Sequence, residues 1–414
     1  MCKRTLKAAR SIGTALALWL SAGLPGPSGL AQAAVIDISA AFKASSGGSA
    51  FSNTTPASGF CLEYGGCGSE IASVAVPISY DRAVLTGLPA VGRRWSLQTP
   101  PQSTVTLVSE TGATLDATFK VTHVAQVLGG QGFDRRENPG SHSSAGGNCS
   151  FTAPYGSDGD NQVGFIWRVA DPVSGGLCYP ATSGTSTERE ILATARSLSV
   201  GYKLVLPASH NVRGGRYSGS VTYSVGEVGD FSLGSQVSNL SDSSITFNFT
   251  VDVQHQLSVT FAPGSDNVTL QPPIGYGGWH EYLTGQKPAP QTLWKYIAFR
   301  ISASGPFDVY LRCSEMAPSY HCRIRDTKEG RLTVRYVVIL SLPPGFVRAE
   351  DGIPIRQYGL YHDTRTRILP PGNVTEGEGL LRVGLISPEF RSNMLTHPGV
   401  PFRGNFTMVF DAQI

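Results

Sequence analysis

Phe402-Arg403-Gly404-Asn405-Phe406-Thr407-Met408-Val409-Phe410-Asp411-Ala412-Gln413-Ile414 has the residue pattern of a β-strand. Phe402, Gly404, Phe406, Met408, Phe410, Ala412 and Ile414 fall at every second position, the period that lines one face of a β-strand. The chain is expected to end inside a sheet, because a terminus frays unless it is paired. Taken alone, the stretch fits the ordinary last strand of a β-sandwich. It also has a counterpart upstream: Tyr217, Gly219, Val221, Tyr223 and Val225 lie at the same spacing as Phe402, Gly404, Phe406, Met408 and Phe410. Two such strands, the first followed by a polar segment, predict two β domains that end alike.

Outward from these strands, runs bounded by Gly, Pro or Ser read as further strands. They fall at Ile71 to Val76, Thr104 to Val108, Leu115 to Val121, Gly164 to Val169 and Ser197 to Leu206 in the first half. In the second half they fall at Phe247 to Val253, Leu257 to Phe261, Trp294 to Ile301, Phe307 to Leu311, Leu332 to Leu342 and Leu380 to Leu385. Gln126 to Asp160, rich in Gly, Ser, Asn and charge, reads as a long surface loop, and Glu188 to Ala195 has a modest helical composition. The predicted fold class is all-β, with an N-terminal domain over 34–226, a linker over 227–244 and a C-terminal domain over 245–414.

At the other end, Lys3, Arg4, Lys7 and Arg10 precede the apolar run Ile12 to Leu20, and Ala31-Gln32-Ala33 offers a small-residue cleavage site. This layout predicts a secretory signal peptide over 1–33 and an exported protein. The leader carries four of the 33 basic residues, leaving a balance of about −1 against 30 acids, so no field points toward nucleic acid. Charged residues are only 15%, while Gly at 48 and Pro at 27 suit many short strands joined by turns. Beyond the leader's Cys2, six cysteines form three local pairs: Cys61 with Cys67, Cys149 with Cys178, and Cys313 with Cys322. Proximity favours those disulfides among the connectivities open to six cysteines, in an oxidising compartment. No metal is expected: no C-x-x-C accompanies them, and Asp158 with Asp160 reads as a polar turn. Nor does any G-x-S-x-G, H-E-x-x-H or nucleotide-binding Gly loop point to catalysis or a cofactor. A glycosidase needs only two carboxylates without fixed spacing, so a secreted carbohydrate-active enzyme stays open as an alternative.

The order of parts resembles the two-domain tip adhesin, or initiator subunit, of bacterial chaperone-usher fimbriae, of the class 5 and cable-pilus type. The residues carrying the resemblance are the leader, the strand Tyr217 to Val225, the run Phe247-Asn248-Phe249-Thr250-Val251-Asp252-Val253, and the strand Gly404 to Phe410. The resemblance implies two immunoglobulin-like β-sandwiches, the second an incomplete pilin-type sandwich lacking its last strand. Its groove would be filled by a periplasmic fimbrial chaperone and then by a strand of the major pilin subunit, with export through an outer-membrane usher to the fimbrial tip. Phe406, Met408, Phe410 and Ile414 are then candidates for the groove or the chaperone contact.

The resemblance also places binding of a host glycan or protein receptor on the N-terminal domain. Arg93, Arg94 and Trp95, with Arg135 and Arg136, are the candidates, because paired guanidiniums suit a carboxylate and an indole stacks on a sugar face. Ile36, Ile38, Ala40 and Phe42 read as the first strand of that domain, and otherwise as a donor strand. A minor or initiator pilin without receptor binding is the alternative within the same system.

Overall fold

The structure, a computed structural model, describes residues 34–44, 50–64, 67, 71–87, 90–130, 144–156, 161–182, 187–272, 279–385 and 388–412. The predicted leader, the candidates Arg135, Arg136 and Ile414, and the turn with Asp158 and Asp160 lie outside these residues. Among the described residues the helices are short, as in Phe60–Tyr64 and His280–Leu283, and none is long and apolar enough to cross a membrane. The chain is all-β, and its described residues form two large apolar cores and a small third one of Phe60, Ala125, Tyr155 and Ile166.

The first core is wrapped by a curled network of thirteen strands. Ala34–Lys43 buries Ile36, Ile38, Ala40 and Phe42 and pairs in parallel with Ser244–Gln254. Ser244–Gln254 in turn pairs antiparallel with Gly215–Gly226, so it lies between the two. Its residues Ile245, Phe247, Phe249, Val251 and Val253 are all buried, as strict alternation of apolar and polar residues requires of a half-buried strand. Across the core, Phe119 lies 4.8 Å from Phe247 and 5.3 Å from Phe249, ring centre to ring centre. Residues 36–42 are therefore a strand of the first sandwich. A donor strand would have its apolar face unoccupied by its own domain.

Four readings change. The strand Ser244–Gln254, expected to open the second domain, completes the first. The segment 227–244, expected as a linker, anchors Phe231 and Leu233 in the same core, each fully buried. Its polar composition hides two apolar plugs. Glu190–Val205 is a strand, with Ile191, Ala193 and Ala195 buried on one face, so alternation prevails over helical composition there. Likewise Thr114–Gly129 runs on as a strand past Gln126, and Cys149–Pro154 forms another inside the expected loop. All three expected disulfides form, with Cα separations of 5.2, 5.2 and 5.6 Å.

The second core lies between a seven-stranded and a four-stranded sheet. Leu257–Phe261, Leu293–Ala303, Val374–Leu385 and Thr333–Ser341 run side by side in the first sheet. In the second, Phe406–Asp411 pairs with Phe307–Cys313, setting Phe410 opposite Val309 and Met408 opposite Leu311. Within the core are Leu293, Ile301, Val309, Leu340, Leu385 and Phe390, each at most 2% exposed.

Candidate functional site: an open groove in the second sandwich

Gly215–Gly226 and Phe406–Asp411 are the two strands that the spacing of apolar residues made equivalent. Their surroundings show the equivalence and the difference. In the first sandwich Gly219 faces Phe249 and Val221 faces Phe247 across a complete ladder, and Tyr217, Tyr223 and Val225 are buried. In the second sandwich Phe406–Asp411 is paired with Phe307–Cys313 on one edge, and among the described residues no strand pairs the other. Phe402, Phe406, Met408 and Phe410 accordingly stay half-exposed.

Facing that edge, Leu257–Phe261 is also an edge strand, paired on one side with Leu293–Ala303. Between the two edges runs a groove of about 1250 Å³. Phe261, Val268, Leu270 and Trp279 line one wall and Phe402 to Met408 the other. Leu293, Ile297, Leu381 and Leu385, buried in the core below, form its floor. An apolar trough between two unpaired strand edges is a template for an added strand: the edges offer backbone hydrogen bonds and the trough accepts alternate side chains. Of the candidates, Phe406 and Met408 line the groove. Phe410, on the same face but outside that lining, has its ring 6.0 Å from Phe299 and 6.2 Å from Phe307. The opposite wall and the floor carry no motif in the sequence, because they are assembled from residues far apart in the chain, as Phe261 and Leu385 are.

Two ion pairs brace the terminal strand. Arg365 reaches Asp411 at 3.2 Å and Asp308 at 3.9 Å, clamping the end of Phe406–Asp411 to its neighbour. Near the other end, Ser314 and Asn405 exchange hydrogen bonds: the Ser314 amide and hydroxyl donate to the Asn405 carbonyl, and the Asn405 amide donates to the Ser314 Oγ. The strand is thus held in place without a partner on its open side.

On the first sandwich, the turn with Arg93 and Arg94 is built from inside. The Arg82 side chain, 1% exposed, donates to the carbonyls of Gly92, Ser96 and Ser235 and to the Ser96 hydroxyl. A buried guanidinium must satisfy its donors in this way, and doing so fixes the loop. Arg93 then projects to the surface and pairs with Glu190 at 3.1 Å. Arg94 donates to the Pro180 carbonyl and lies 5.8 Å above the Tyr179 ring. Trp95 points the other way. It is fully buried, edge-on to Phe165 at 5.0 Å and to Trp167 at 5.4 Å, so it presents no ring face to a ligand.

No protein-family profile matches the chain, and no curated protein does. Solved structures similar to it are tip adhesins of chaperone-usher pili. The adhesin CfaE of the CFA/I fimbria of enterotoxigenic Escherichia coli has a TM-score of 0.28 at 8% identity, with 92% of this chain and 92% of that chain covered. A chaperone-tip adhesin complex of CFA/I fimbriae has a TM-score of 0.26 at 8% identity, over 92% and 96% of the two chains. The CsuC-CsuE chaperone-tip adhesin complex of the archaic Csu pili of Acinetobacter baumannii has a TM-score of 0.22 at 11% identity, over 92% and 98%.

Proposed function

We propose that this protein is a fimbrial tip adhesin, exported through the periplasm, whose second sandwich is completed by a strand from another polypeptide and whose first sandwich binds a host-surface receptor. The observation that carries the reading is the contrast between the two sandwiches. The place filled by Ser244–Gln254 in the first is, in the second, an open groove between two unpaired edges. The incoming strand would lie antiparallel to Phe406–Asp411, as Ser244–Gln254 lies antiparallel to Gly215–Gly226. A periplasmic chaperone is the first supplier of that strand, and the major pilin subunit replaces it after passage through the usher. The domain boundary in this reading falls at Gln254 to Leu257, where the chain leaves the last strand of the first sandwich.

The first sandwich has its own complete core and is free for recognition, with Arg93 and Arg94 as surface candidates on the turn Val91–Arg93. To test the reading, beads are coated with the chain carrying a donor strand fused after Ile414 and are applied to a panel of host cells. Saturable adhesion that soluble protein competes away supports the receptor role. Absence of adhesion across the panel leaves a pilus subunit without receptor activity and contradicts the adhesin.

A further inference from the structure

The first sandwich carries a concavity that neither the receptor candidates nor the groove includes. About 540 Å³ in volume, it opens on the outward face of Thr114–Gly129 and Gln162–Val169, beside Cys149–Pro154. Its lining includes Thr122, His123, Ser150, Phe151, Arg168 and Lys203. The ladder explains why these side chains converge: Arg168 lies directly opposite His123 on one neighbouring strand and opposite Ser150 on the other. One row along, Lys203 lies directly opposite Lys120.

The charges here are one-sided. Among the described residues no carboxylate lines the concavity, and Lys120, Arg168 and Lys203 have no ion-pair partner. Like charges placed opposite each other on a sheet face destabilise it, so Lys120 and Lys203 carry a cost that no ion pair among the described residues offsets. An anion seated between them and Arg168 would offset it. Apolar surface lies alongside, since Phe151 at the rim is 36% exposed, and Ser150 and Thr122 add hydroxyls. Buried His123, held low in pKa by desolvation and then by the Arg168 charge, is a neutral wall of the site.

We propose that this concavity binds the anionic group of an acidic saccharide, a carboxylate or a sulfate, with Arg168 and Lys203 as its charge partners, Lys120 beside them and the Phe151 ring against the sugar. Guanidinium and ammonium together suit an oxyanion, the first by paired hydrogen bonds and the second as a point charge. The aromatic rim favours a saccharide over a bare ion. The inference rests on the adhesin reading and gives it a ligand class and a place, on the side of the first sandwich rather than at the turn with Arg93 and Arg94.

The test measures binding of the full exported chain to a sulfated heparin oligosaccharide, a sialylated oligosaccharide and their neutral counterparts. The expected result is binding of at least one acidic sugar, none of the neutral ones, and weakening as ionic strength rises from about 0.01 to 0.15 M. Which acidic arm binds identifies sulfate or carboxylate. Arg168→Ser with Lys203→Ser should weaken it about tenfold or more. Both side chains are exposed, so the melting midpoint should not move. Arg331→Ser on the second sandwich should change nothing. Equal binding by the double variant, or no acidic sugar bound by the parent, would overturn the proposal. Cell adhesion measured in parallel separates the two readings: a parent that adheres while the double variant adheres equally keeps the adhesin and loses this site.

Discussion

Gly219 and Gly404 hold the same place in two sandwiches and are glycines for the same reason. A Cβ at Gly219 would stand 2.8 Å from the Leu107 Cδ2 and 3.1 Å from the Thr106 carbonyl oxygen, while one at Gly404 would stand 2.7 Å from the Arg323 carbonyl oxygen. At Gly219 the obstacle is the adjoining strand Ser103–Ser109, and at Gly404 it is Cys322–Asp326, which pairs with Phe402–Arg403. Alanine at either should destabilise its sandwich by about 1 to 3 kcal/mol through overpacking. Gly404→Ala should cost more, because its nearest obstacle is backbone that cannot rotate away. Denaturant unfolding of both variants tests this, and a neutral Gly404→Ala would contradict the close approach.

The groove predicts a separation of effects at Phe406 and Met408. Both side chains are half-exposed in the free protein, so serine there should cost the unliganded fold little. Each side chain already packs partly on the second core, and an added strand would bury the rest of it; full burial of a large apolar side chain is worth about 1.5 to 3 kcal/mol. Phe406→Ser should therefore weaken capture of a donor-strand peptide about 10- to 100-fold while leaving the melting midpoint of the free chain almost unchanged. Equal loss in both measurements would mean that Phe406 is already a core residue.

A histidine joins the two sandwiches. His255 Nε2 lies 2.7 Å from the Val212 carbonyl oxygen and its ring 5.4 Å from Phe42, both in the first sandwich. Its Nδ1 lies 3.3 Å from the Ser304 Oγ in the second. A Cβ on Gly305 would stand 2.3 Å from the ring, so Gly305→Ala must displace it. Both His255→Ala and Gly305→Ala should loosen the junction, seen as a broader distance distribution between spin labels on the two sandwiches. An unchanged distribution would show that the junction is held elsewhere.

Acid should act on the first sandwich before the second. Burial, and then the charge of Arg168, lower the pKa of His123 from 6.5 to about 4. A depressed folded pKa means that the unfolded chain takes up the proton first. Stability is thus full above pH 6.5 and falls as pH drops toward 4, by up to about 1.4 kcal/mol per unit from this group. In the second sandwich Asp326 accepts hydrogen bonds from the amides of Glu329, Leu332, Gly330 and Lys328, which lower its pKa to about 2. That contribution is present above the usual carboxylate range and is lost only as pH falls through about 2. His123→Gln should flatten the pH dependence of stability between 6.5 and 4 and leave the steeper acid limb in place.

Much of the fold was legible because alternation is a local signal. The strands around Ile36, Phe247, Phe307 and Phe406 each announce a buried face within a few residues. The boundary between sandwiches was not legible. Phe231 and Leu233 sit in polar sequence, and only the tertiary core shows that they are plugs. Glu188 to Ala195 misled by composition, since Glu, Arg and Ala favour a helix locally while a cross-strand partner on each side imposes a strand on 190–195. At the candidate site, the apolar face of the strand with Phe406 and Met408 was readable from its period, while a groove beside it was only what the family resemblance implied. The facing wall and the floor were not readable, because a groove joins residues that only topology brings together. Trp95 shows the same limit from the other direction: its position beside two arginines suggested a surface, and its packing against Phe165 and Trp167 makes it core.

The most direct test of the open second sandwich is amide hydrogen exchange at Phe406–Asp411 and Leu257–Phe261, read with and without a donor strand fused through a flexible linker after Ile414. The account predicts rapid exchange on the outward-facing amides of both edges in the unfused chain. With the strand present it predicts strong protection of both segments, together with a rise in the melting midpoint well beyond the few degrees that about 1 kcal/mol gives. Equal protection in both proteins, with the unfused chain already stable, would mean that the sandwich is closed, and the proposed pilus role would fall with it.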